Sequence, residues 1–539
     1  MEVKDIFRYV VEEIHTSIMA TTDGDEHPVT CAIDLMDCDD DSIYFLTATG
    51  KGFYKRLICS PHIALTALKG TDTMHSVAVS VAGEVRELGP ELLPKLFEKN
   101  PYMYDIYPTE ESRGVLTVFQ ILTAIQLTLA AGEKASPVIP ICFLTLTVVM
   151  WLYAAALRLG RCVGFELETI AFYLSTLSLA VTASSAPGSL PKQLLAIVLG
   201  MGLFLALGLF LRDLERVKKR RWLMAAGAIG LLGITLVLGK AKFGATNWVT
   251  LGGISFQPSE IAKICYIFAG SATLERLFRR RNLALFIVLT GVCIGLLGLM
   301  SDFGTAAIFF VTFLVIAYLR SGDAATLALI CGGAAFGAGI IVQFKPYILS
   351  RFAAWGHAWE AASGSGYQQT RTMSAAASGG LFGMGAGNGW LERIPAGDTD
   401  LVFGMLCEEW GLVIALLAVA CILTLAWFAV RASRTGRSSF YTIAACAAGS
   451  LLVFQTSLNV FGSVDLLPLT GVTFPFVSNG GSAMLSAWGL LAYLKTMDTR
   501  ADASFAIGRA AERKLDEEAA RMAAPAEDAF EKEDGHAED

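Results

Sequence analysis

Charge is what this sequence of 539 residues has little of. Only 17% of its residues are Asp, Glu, Lys or Arg, whereas a soluble globular protein carries about 25%. Hydrophobic residues make up 54% of the chain, and the mean hydropathy is +0.54. This composition excludes an ordinary soluble enzyme and a disordered chain. The formal net charge of −7 argues against a protein that binds nucleic acid.

Several motifs are missing as well. The eleven cysteines form no Cys-x-x-Cys pair, and eight of them lie in or beside apolar runs, which predicts small buried hydrophobic residues. Residues 1–10 are charged and contain no apolar stretch, so a secretory signal is not expected. The sequence contains no metal motif, P-loop or Ser-His-Asp pattern, and its six histidines are scattered.

Residues 1–114 have the pattern of a soluble α+β domain. Helical spacing of apolar residues predicts a helix over Asp5–Ile14, and Pro90 suits the first turn of a helix over Pro90–Lys99. Between and after them lie short runs bounded by Gly, Asp and Pro, which together predict a small barrel. The predicted strands are Ser17–Thr21, Val29–Asp34, Ser42–Leu46, His62–Leu68, Ser76–Val85 and Val115–Gln120.

The rest of the chain consists mainly of long apolar runs. Most are long enough to cross a hydrocarbon core of about 30 Å, and they are too many for the core helices of a soluble protein. The runs lie at about 138–157, 165–184, 193–211, 222–239, 259–274, 283–300, 303–319, 324–343, 401–430, 439–458 and 480–495.

Lys and Arg predict the orientation of these spans. Basic links occur at every second connection, which places them in the cytoplasm. They are Arg158/Arg161, Arg212–Arg221, Arg276–Arg281, Arg320 and Arg431–Arg437. The other connections, including 240–258, 344–400 and 459–479, are then extracytoplasmic.

Parity requires one more span if the N-terminal domain is cytoplasmic. The candidate is Gly114–Ala131, which carries no charge but overlaps the possible strand Val115–Gln120. We favour the span, which predicts about twelve crossings. The predicted domains are 1–118, 119–497 and an acidic, disordered cytoplasmic tail over 498–539.

Charges at the ends of spans are costly and are therefore candidates for function. Glu260 and Lys263 follow Phe256-Gln257-Pro258-Ser259, and their spacing puts them on one helix face. A structural ion pair is the alternative. Asp302, in the turn Ser301–Thr305, stands between two spans, and helix N-capping is the alternative for it.

A third candidate stands where the long loop 344–400 enters a span. Asp400 could act there or cap the helix, and Glu408 lies about 12 Å deeper, so the two do not form an acid/base pair. The loop is rich in glycine and carries Arg351, Arg371 and Arg393. It could bind an anionic headgroup or be an ordinary solvated loop.

The fourth candidate is Asn459–Ser482, where Pro and Gly interrupt helices at membrane depth. Such backbone is tolerated where protein or a water-filled cavity covers it, although an ordinary outer loop is the alternative. From these residues alone, the chain is a membrane protein with a polar cavity. It is either an enzyme acting on lipid-linked substrates or a transporter.

Together the four motifs resemble the SEDS family (FtsW/RodA/SpoVE). The carrying residues are Trp248 with Phe256–Lys263, Asp302–Thr305, Pro395–Asp400 with Glu408–Gly411, and Leu467–Gly471 with Pro475–Ser482. The likeness covers about 138–497, and two spans precede the family's usual ten. Ser301 stands where the family usually has Pro, and Asn479 where Tyr is common.

The resemblance implies a multi-pass α-helical peptidoglycan glycosyltransferase. It would polymerise lipid II at the outer face of the bacterial cytoplasmic membrane, in division or elongation, with undecaprenyl pyrophosphate as leaving group. It implies Asp400 as catalytic residue, a divalent cation (Mg or Mn), and a class B penicillin-binding protein with other divisome or elongasome proteins as partners. A lipid II flippase is the rival. The implied substrate-binding residues are Trp248, Glu260, Lys263, Asp302, Arg351, Arg393, Glu408, Ser478 and Ser482.

The N-terminal part resembles the pyridoxamine 5′-phosphate oxidase-like, FMN-binding split β-barrel. The carrying residues are Thr16–Thr21, Pro28–Ile33 and Phe45–Lys55. The likeness implies FMN, with its phosphate held by Thr47, Thr49, Lys51 and Lys55. A solvated strand–loop–helix, serving as an interaction module, is the alternative. The family continues with another strand where this chain turns apolar, so the barrel is expected to be incomplete or closed by a dimer partner.

Overall fold

The computed structural model of the chain describes residues 3–22, 27–47, 52–70, 76–100, 111–132, 136–160, 162, 164–242, 245–251, 254–274, 280–322, 325, 328, 330–333, 335, 355–433, 438–498 and 505. The chain divides into two compact units. One comprises Met1–Gly114 with Arg158–Gly164, and the other comprises Val115–Leu157 with Phe165–Asp539.

The first unit is built on a five-stranded antiparallel sheet. The strands follow the order β3-β2-β1-β4-β5, and Met19 on the central strand pairs with Cys31 on one side and Leu65 on the other. The strands are β1 (Thr16–Thr22), β2 (Pro28–Cys38), β3 (Ile43–Phe45), β4 (His62–Lys69) and β5 (Val77–Glu84).

One face of this sheet carries the core of the unit. Alternation along the strands buries Met19, Leu65 and Ala67, which cluster with Val10 and Leu57 from the helices. The helices are α1 (Val3–Tyr9) followed by a π-helical turn (Val10–Ile14), α2 (Gly52–Cys59), and α3 (Leu93–Lys99) after a 3-10 turn (Pro90–Leu92). The α+β prediction is confirmed, with the sheet forming a half-barrel.

The second unit is a bundle of helices. Among the described residues, nine helices are long and apolar enough to cross a membrane. Three others, α9, α12 and α15, are shorter. The helices are α4 (Glu111–Ala131), α5 (Val138–Leu159), α6 (Glu166–Ser185), α7 (Leu190–Leu211), α8 (Leu214–Leu238), α9 (Pro258–Leu274), α10 (Arg280–Leu299), α11 (Phe303–Ser321), α12 (Tyr367–Gly379), α13 (Val402–Ala432), α14 (Ser439–Ser463) and α15 (Gly481–Lys495).

The multi-pass helical prediction is therefore confirmed, whereas the number of twelve crossings stays a prediction. Most of the run at 324–343 and most of the tail after residue 498 lie outside the described residues. All eleven cysteines, each among the described residues, are free. Only Cys142, Cys293 and Cys407 are buried, so the prediction of small buried hydrophobic residues is correct for three of them.

The helix α4 decides between the two interpretations of residues 114–131. Its Gln120 is buried, donates to Thr176 Oγ1 (3.1 Å) and accepts from Thr147 Oγ1 (2.8 Å). Its other sides present apolar residues such as Val115 and Leu129, as a lipid-facing helix does. The strand prediction for Val115–Gln120 is wrong, because these residues form part of this helix.

A second small sheet lies between α8 and α9, where only a connection was predicted. It has three antiparallel strands, β6 (Lys240–Lys242), β7 (Ala245–Leu251) and β8 (Ile254–Phe256). The Thr246 N–H donates to the Met300 carbonyl at the end of α10 (3.0 Å). The sheet thereby places Trp248 and Gln257 near the turn that follows α10.

Candidate functional site

The two charged residues of the first motif lie at the start of α9 and are buried. Glu260 Oε2 and Lys263 Nζ lie 2.7 Å apart, and their side chains are 7% and 1% exposed. Lys263 Nζ also donates to Gln455 Oε1 on α14 (2.9 Å). Gln455 Nε2 in turn donates to the carbonyl of Thr473 (3.0 Å). The prediction that Glu260 and Lys263 share one helix face is confirmed. Through Gln455, this ion pair is linked to Thr473 in the fourth motif.

Asp302 caps the N-terminus of α11. Its Oδ1 accepts from the Thr305 N–H (3.1 Å), and its Oδ2 accepts from Asn247 Nδ2 on β7 (3.1 Å). The capping alternative is therefore confirmed. Gly304 beside it lies against the fourth motif, since a Cβ there would be 2.7 Å from Val472 Cγ2.

Asp400 lies in a tight turn just before α13. The helix N-cap is Leu401, so the capping alternative for Asp400 is wrong. The turn is set by Ala396 at φ 63°, whose carbonyl accepts from the N–H groups of Asp400 (3.0 Å) and Leu401 (3.1 Å). Asp400 itself is half-buried.

The fourth motif and α14 hold the three residues of this turn by their carbonyls. Asn479 N–H donates to the Asp398 carbonyl (2.9 Å), and Ser478 Oγ donates to the Thr399 carbonyl (2.6 Å). Asn459 Nδ2 donates to the Asp400 carbonyl (2.9 Å). Three successive carbonyls thus each accept a hydrogen bond, which fixes the path of the backbone at Asp400.

The Asp400 carboxylate lies beside Gly471. A Cβ on Gly471 would stand 3.3 Å from Asp400 Oδ2, so a side chain there would crowd the carboxylate. Gly471 has φ 73°, which also favours glycine. The carboxylate of Asp398, by contrast, accepts from Asn479 Nδ2 (2.7 Å) and Ser185 Oγ (3.2 Å). The two aspartates are therefore different: one carboxylate fastens the loop and the other adjoins a glycine.

Two deeper glutamates hold the glycine-rich loop. Glu408 is fully buried, and its two oxygens accept from the backbone N–H groups of Trp390 (2.9 Å) and Leu391 (3.1 Å). Glu409 Oε2 accepts from the Gly387 N–H (3.0 Å). The hydrogen bonds of both glutamates support the glycine-rich loop from inside the protein. Substrate binding by Glu408 stays a prediction.

The remaining predicted site residues lie on several different elements. Ser482 Oγ accepts from the Gln257 N–H (2.9 Å), which ties the fourth motif to the first. Trp248 is half-buried on β7, and Arg393 is exposed. Arg351 lies outside the described residues. The four motifs meet at one place in the bundle, while anion binding by the loop arginines stays a prediction.

Three residues of this arrangement were not singled out as site residues, although Asn459 opens the fourth candidate segment and Asp398 lies within the third motif. Gln455 and Asn459 are polar amides four positions apart in a mostly apolar span, so they share one helix face. That spacing was a usable signal, because polar residues inside a span are costly. Asp398 gave no signal that distinguished it from its neighbour Asp400.

Few of the described residues bear on the predicted divalent cation and FMN. Among the described residues, no three His, Cys, Asp or Glu side chains come together as metal ligands. Binding of Mg or Mn stays a prediction. Of the predicted flavin ligands, Thr47 Oγ1 is buried and has no hydrogen-bond partner within the described part of the chain, which suits a phosphate-binding hydroxyl. Thr49, Lys51 and the side chain of Lys55 lie outside the described residues.

Fold and site together define a class: a multi-pass helical membrane protein in which non-helical loop segments fix the backbone at Asp400. The profile of the family described as "Cell cycle protein" (FtsW, RodA and SpoVE) matches residues 166–502, which is more than half of the chain. The chain belongs to this family.

Named relatives match a similar share of the chain. A probable peptidoglycan glycosyltransferase FtsW of Tolumonas auensis is 34% identical over 331 residues, which are 59% of this chain and 85% of that protein. The peptidoglycan glycosyltransferase RodA of Mycobacterium tuberculosis is 30% identical over 327 residues, 56% of this chain and 69% of that one. A structure titled "Structural coordination of polymerization and crosslinking by a peptidoglycan synthase complex" shares 26% identity, with a TM-score of 0.52, over 62% of this chain and 98% of that chain.

Proposed function

We propose that the chain is a peptidoglycan glycosyltransferase that polymerises lipid II at the outer face of the bacterial cytoplasmic membrane, in division or elongation. Family membership and the names of its relatives support this activity. The observation that carries it is the fixed position of Asp400, where three hydrogen bonds to successive carbonyls hold a half-buried carboxylate beside Gly471.

In this proposal Asp400 takes a proton from, or orients, the acceptor sugar hydroxyl. The hydroxyl oxygen attacks the anomeric carbon of the donor, and the bond from that carbon to the lipid pyrophosphate breaks, with its electron pair leaving on the phosphate. A base must come within hydrogen-bond reach of the hydroxyl for this step. The hydrogen bonds to the backbone at Asp400 keep the carboxylate in that position, so little further ordering is needed during the reaction.

Cationic groups stabilise the charge that develops on the pyrophosphate. Lys263 is buried and bonded to Glu260 and Gln455, so it contributes by fixing α9 against α14. The exposed Arg393 and the loop Arg351 are the groups assigned to contact the pyrophosphate.

The rival function is a lipid II flippase. Purified full-length protein, with its class B penicillin-binding protein, is given fluorescent lipid II, and glycan strands are resolved by electrophoresis. Strand formation is the expected result. Transport of lipid II across vesicles without any strand formation would favour the flippase.

For the N-terminal unit we propose a cytoplasmic location and FMN binding. Thr47 Oγ1 is buried and has no partner among the residues that the structure describes, which supports a phosphate site. Bound FMN would supply redox chemistry. Flavin absorbance of the purified full-length protein tests this, with Thr47→Val expected to weaken FMN uptake. A colourless protein that takes up no FMN would leave the unit as an interaction module.

A further inference from the structure

One amide on α14 joins the Asp400 turn to the fourth motif. Asn459 Nδ2 donates to the carbonyl of Asp400 (2.9 Å) and also to the carbonyl of Val472 (2.8 Å). Its side chain is 1% exposed. The two carbonyls belong to segments 72 positions apart in sequence, and Gly471 of the second segment adjoins the Asp400 carboxylate.

The orientation of this amide follows from its partners. Both partners are carbonyl oxygens, so the NH₂ group must face them and the oxygen must point away. Among the described residues, Asn459 Oδ1 has no hydrogen-bond partner. A buried acceptor without a partner costs free energy. The chain tolerates that cost at a place where both amide protons are used to fix backbone.

We propose that Asn459 is the positioning residue of Asp400. It fixes the distance between the segment that carries Asp400 and the segment that carries Gly471. The acceptor hydroxyl is therefore held at a constant distance from the Asp400 carboxylate. The inference rests on the proposed glycosyltransferase function, which Asp400 serves directly and Asn459 serves through the Asp400 backbone. Gln455, one turn earlier on the same face, holds Thr473 in the same way and extends this arrangement.

The decisive variant is Asn459→Asp, which keeps the size of the side chain but replaces the donating NH₂ by an oxygen. The chain offers a matched control. Asn100 in the first unit also donates one Nδ2 to two carbonyls, those of Met36 and Leu96 (both 2.9 Å), and it is 7% exposed. Asn100→Asp therefore removes an equivalent pair of hydrogen bonds, but in the unit that does not contain Asp400.

The measurements are kcat and KM for lipid II polymerisation, together with hydrogen exchange of residues 396–402 in the full-length protein. We expect N459D to lower kcat about 10- to 100-fold, the scale at which small misplacement of a reacting group acts, with KM within about twofold. Exchange at 396–402 should rise. N100D should change neither kcat nor this exchange.

Two results would overturn the inference while leaving the proposed function intact. One is wild-type kcat in N459D alongside an inactive Asp400→Asn. The other is a loss of kcat that only follows the folded fraction, measured by thermal unfolding in detergent, with unchanged exchange at 396–402. If the wild type forms no glycan, the proposed function fails. The exchange measurement then still decides whether Asn459 holds the Asp400 turn.

Discussion

The two units of this protein each contain a Lys–Glu pair at nearly the same distance, in opposite surroundings. Lys69 and Glu13 lie 2.5 Å apart in the first unit, with side chains 44% and 56% exposed. Lys263 and Glu260 lie 2.7 Å apart in the second, at 1% and 7%. An exposed pair contributes little, whereas a buried pair leaves an uncompensated charge when one partner is lost. The distance between the two charges therefore says little about how much an ion pair contributes to stability, whereas the burial of the pair says much.

Burial is not sufficient to identify the site, however. Lys495 and Glu168 are also fully buried, with 3.3 Å between Lys495 Nζ and Glu168 Oε2, and Tyr153 donates to Glu168 (3.0 Å). None of these residues belongs to the four motifs. What distinguishes the Lys263–Glu260 pair is its connection through Gln455 to the segment that holds Asp400.

The comparison is tested most strongly by Lys263→Met. It leaves Glu260 buried without its cation, which costs about 3–5 kcal/mol, so the thermal midpoint in detergent should fall sharply. Lys69→Met, the same change in the exposed pair, should leave the midpoint unchanged. The double variant Glu260→Gln/Lys263→Met should recover most of the stability, because it removes the unpaired charge. Equal shifts for K263M and K69M would contradict the comparison.

A smaller effect is expected from the kink in α13. Gly411 has φ 85°, and a Cβ there would lie 2.3 Å from the Leu381 carbonyl oxygen. Gly411→Ala should therefore cost about 1–3 kcal/mol and also lower polymerisation, because the glycine-rich loop packs on this kink. Gly202→Ala is the control, since a Cβ at Gly202 meets nothing within 4 Å. A G411A protein as stable and active as G202A would show that the kink is dispensable.

The smallest effect concerns the buried carboxylate of the first unit. Burial raises the pKa of Asp37, but hydrogen bonds from Lys99 Nζ and the Cys38 N–H outweigh it, so the pKa of this carboxyl lies below its ordinary value. A lowered folded-state pKa stabilises the fold above the unfolded-state value, and this stabilisation is lost as pH falls through the folded pKa. Hydrogen exchange of β2 should therefore rise on acidification below about pH 4. Asp37→Asn should exchange faster at neutral pH and lose this acid dependence; a wild-type profile would contradict the assignment.

Much of the bundle could be predicted from the sequence because a membrane span needs a long apolar run, and periodicity and length report that directly. Asp302 and the Glu260–Lys263 pair were also accessible, since their partners lie within three residues. The contacts of Asn459 with Asp400 and Val472 were not, because they join segments that only the fold brings together. The sheet β6–β8 was missed because its strands are short and lie in a stretch interpreted as a loop.

The central claim is that Asp400 is the catalytic base, and its direct test is lipid II polymerisation by Asp400→Asn. The substitution keeps size and shape, so we expect normal folding and a rate about 10²- to 10⁴-fold below wild type, the usual contribution of a positioned base. Asp465→Asn is the control: Asp465 lies in the neighbouring loop, accepts from the N–H groups of Gly356 (3.2 Å) and Ala358 (3.1 Å), and should retain most of the activity. Wild-type polymerisation by D400N would contradict the account.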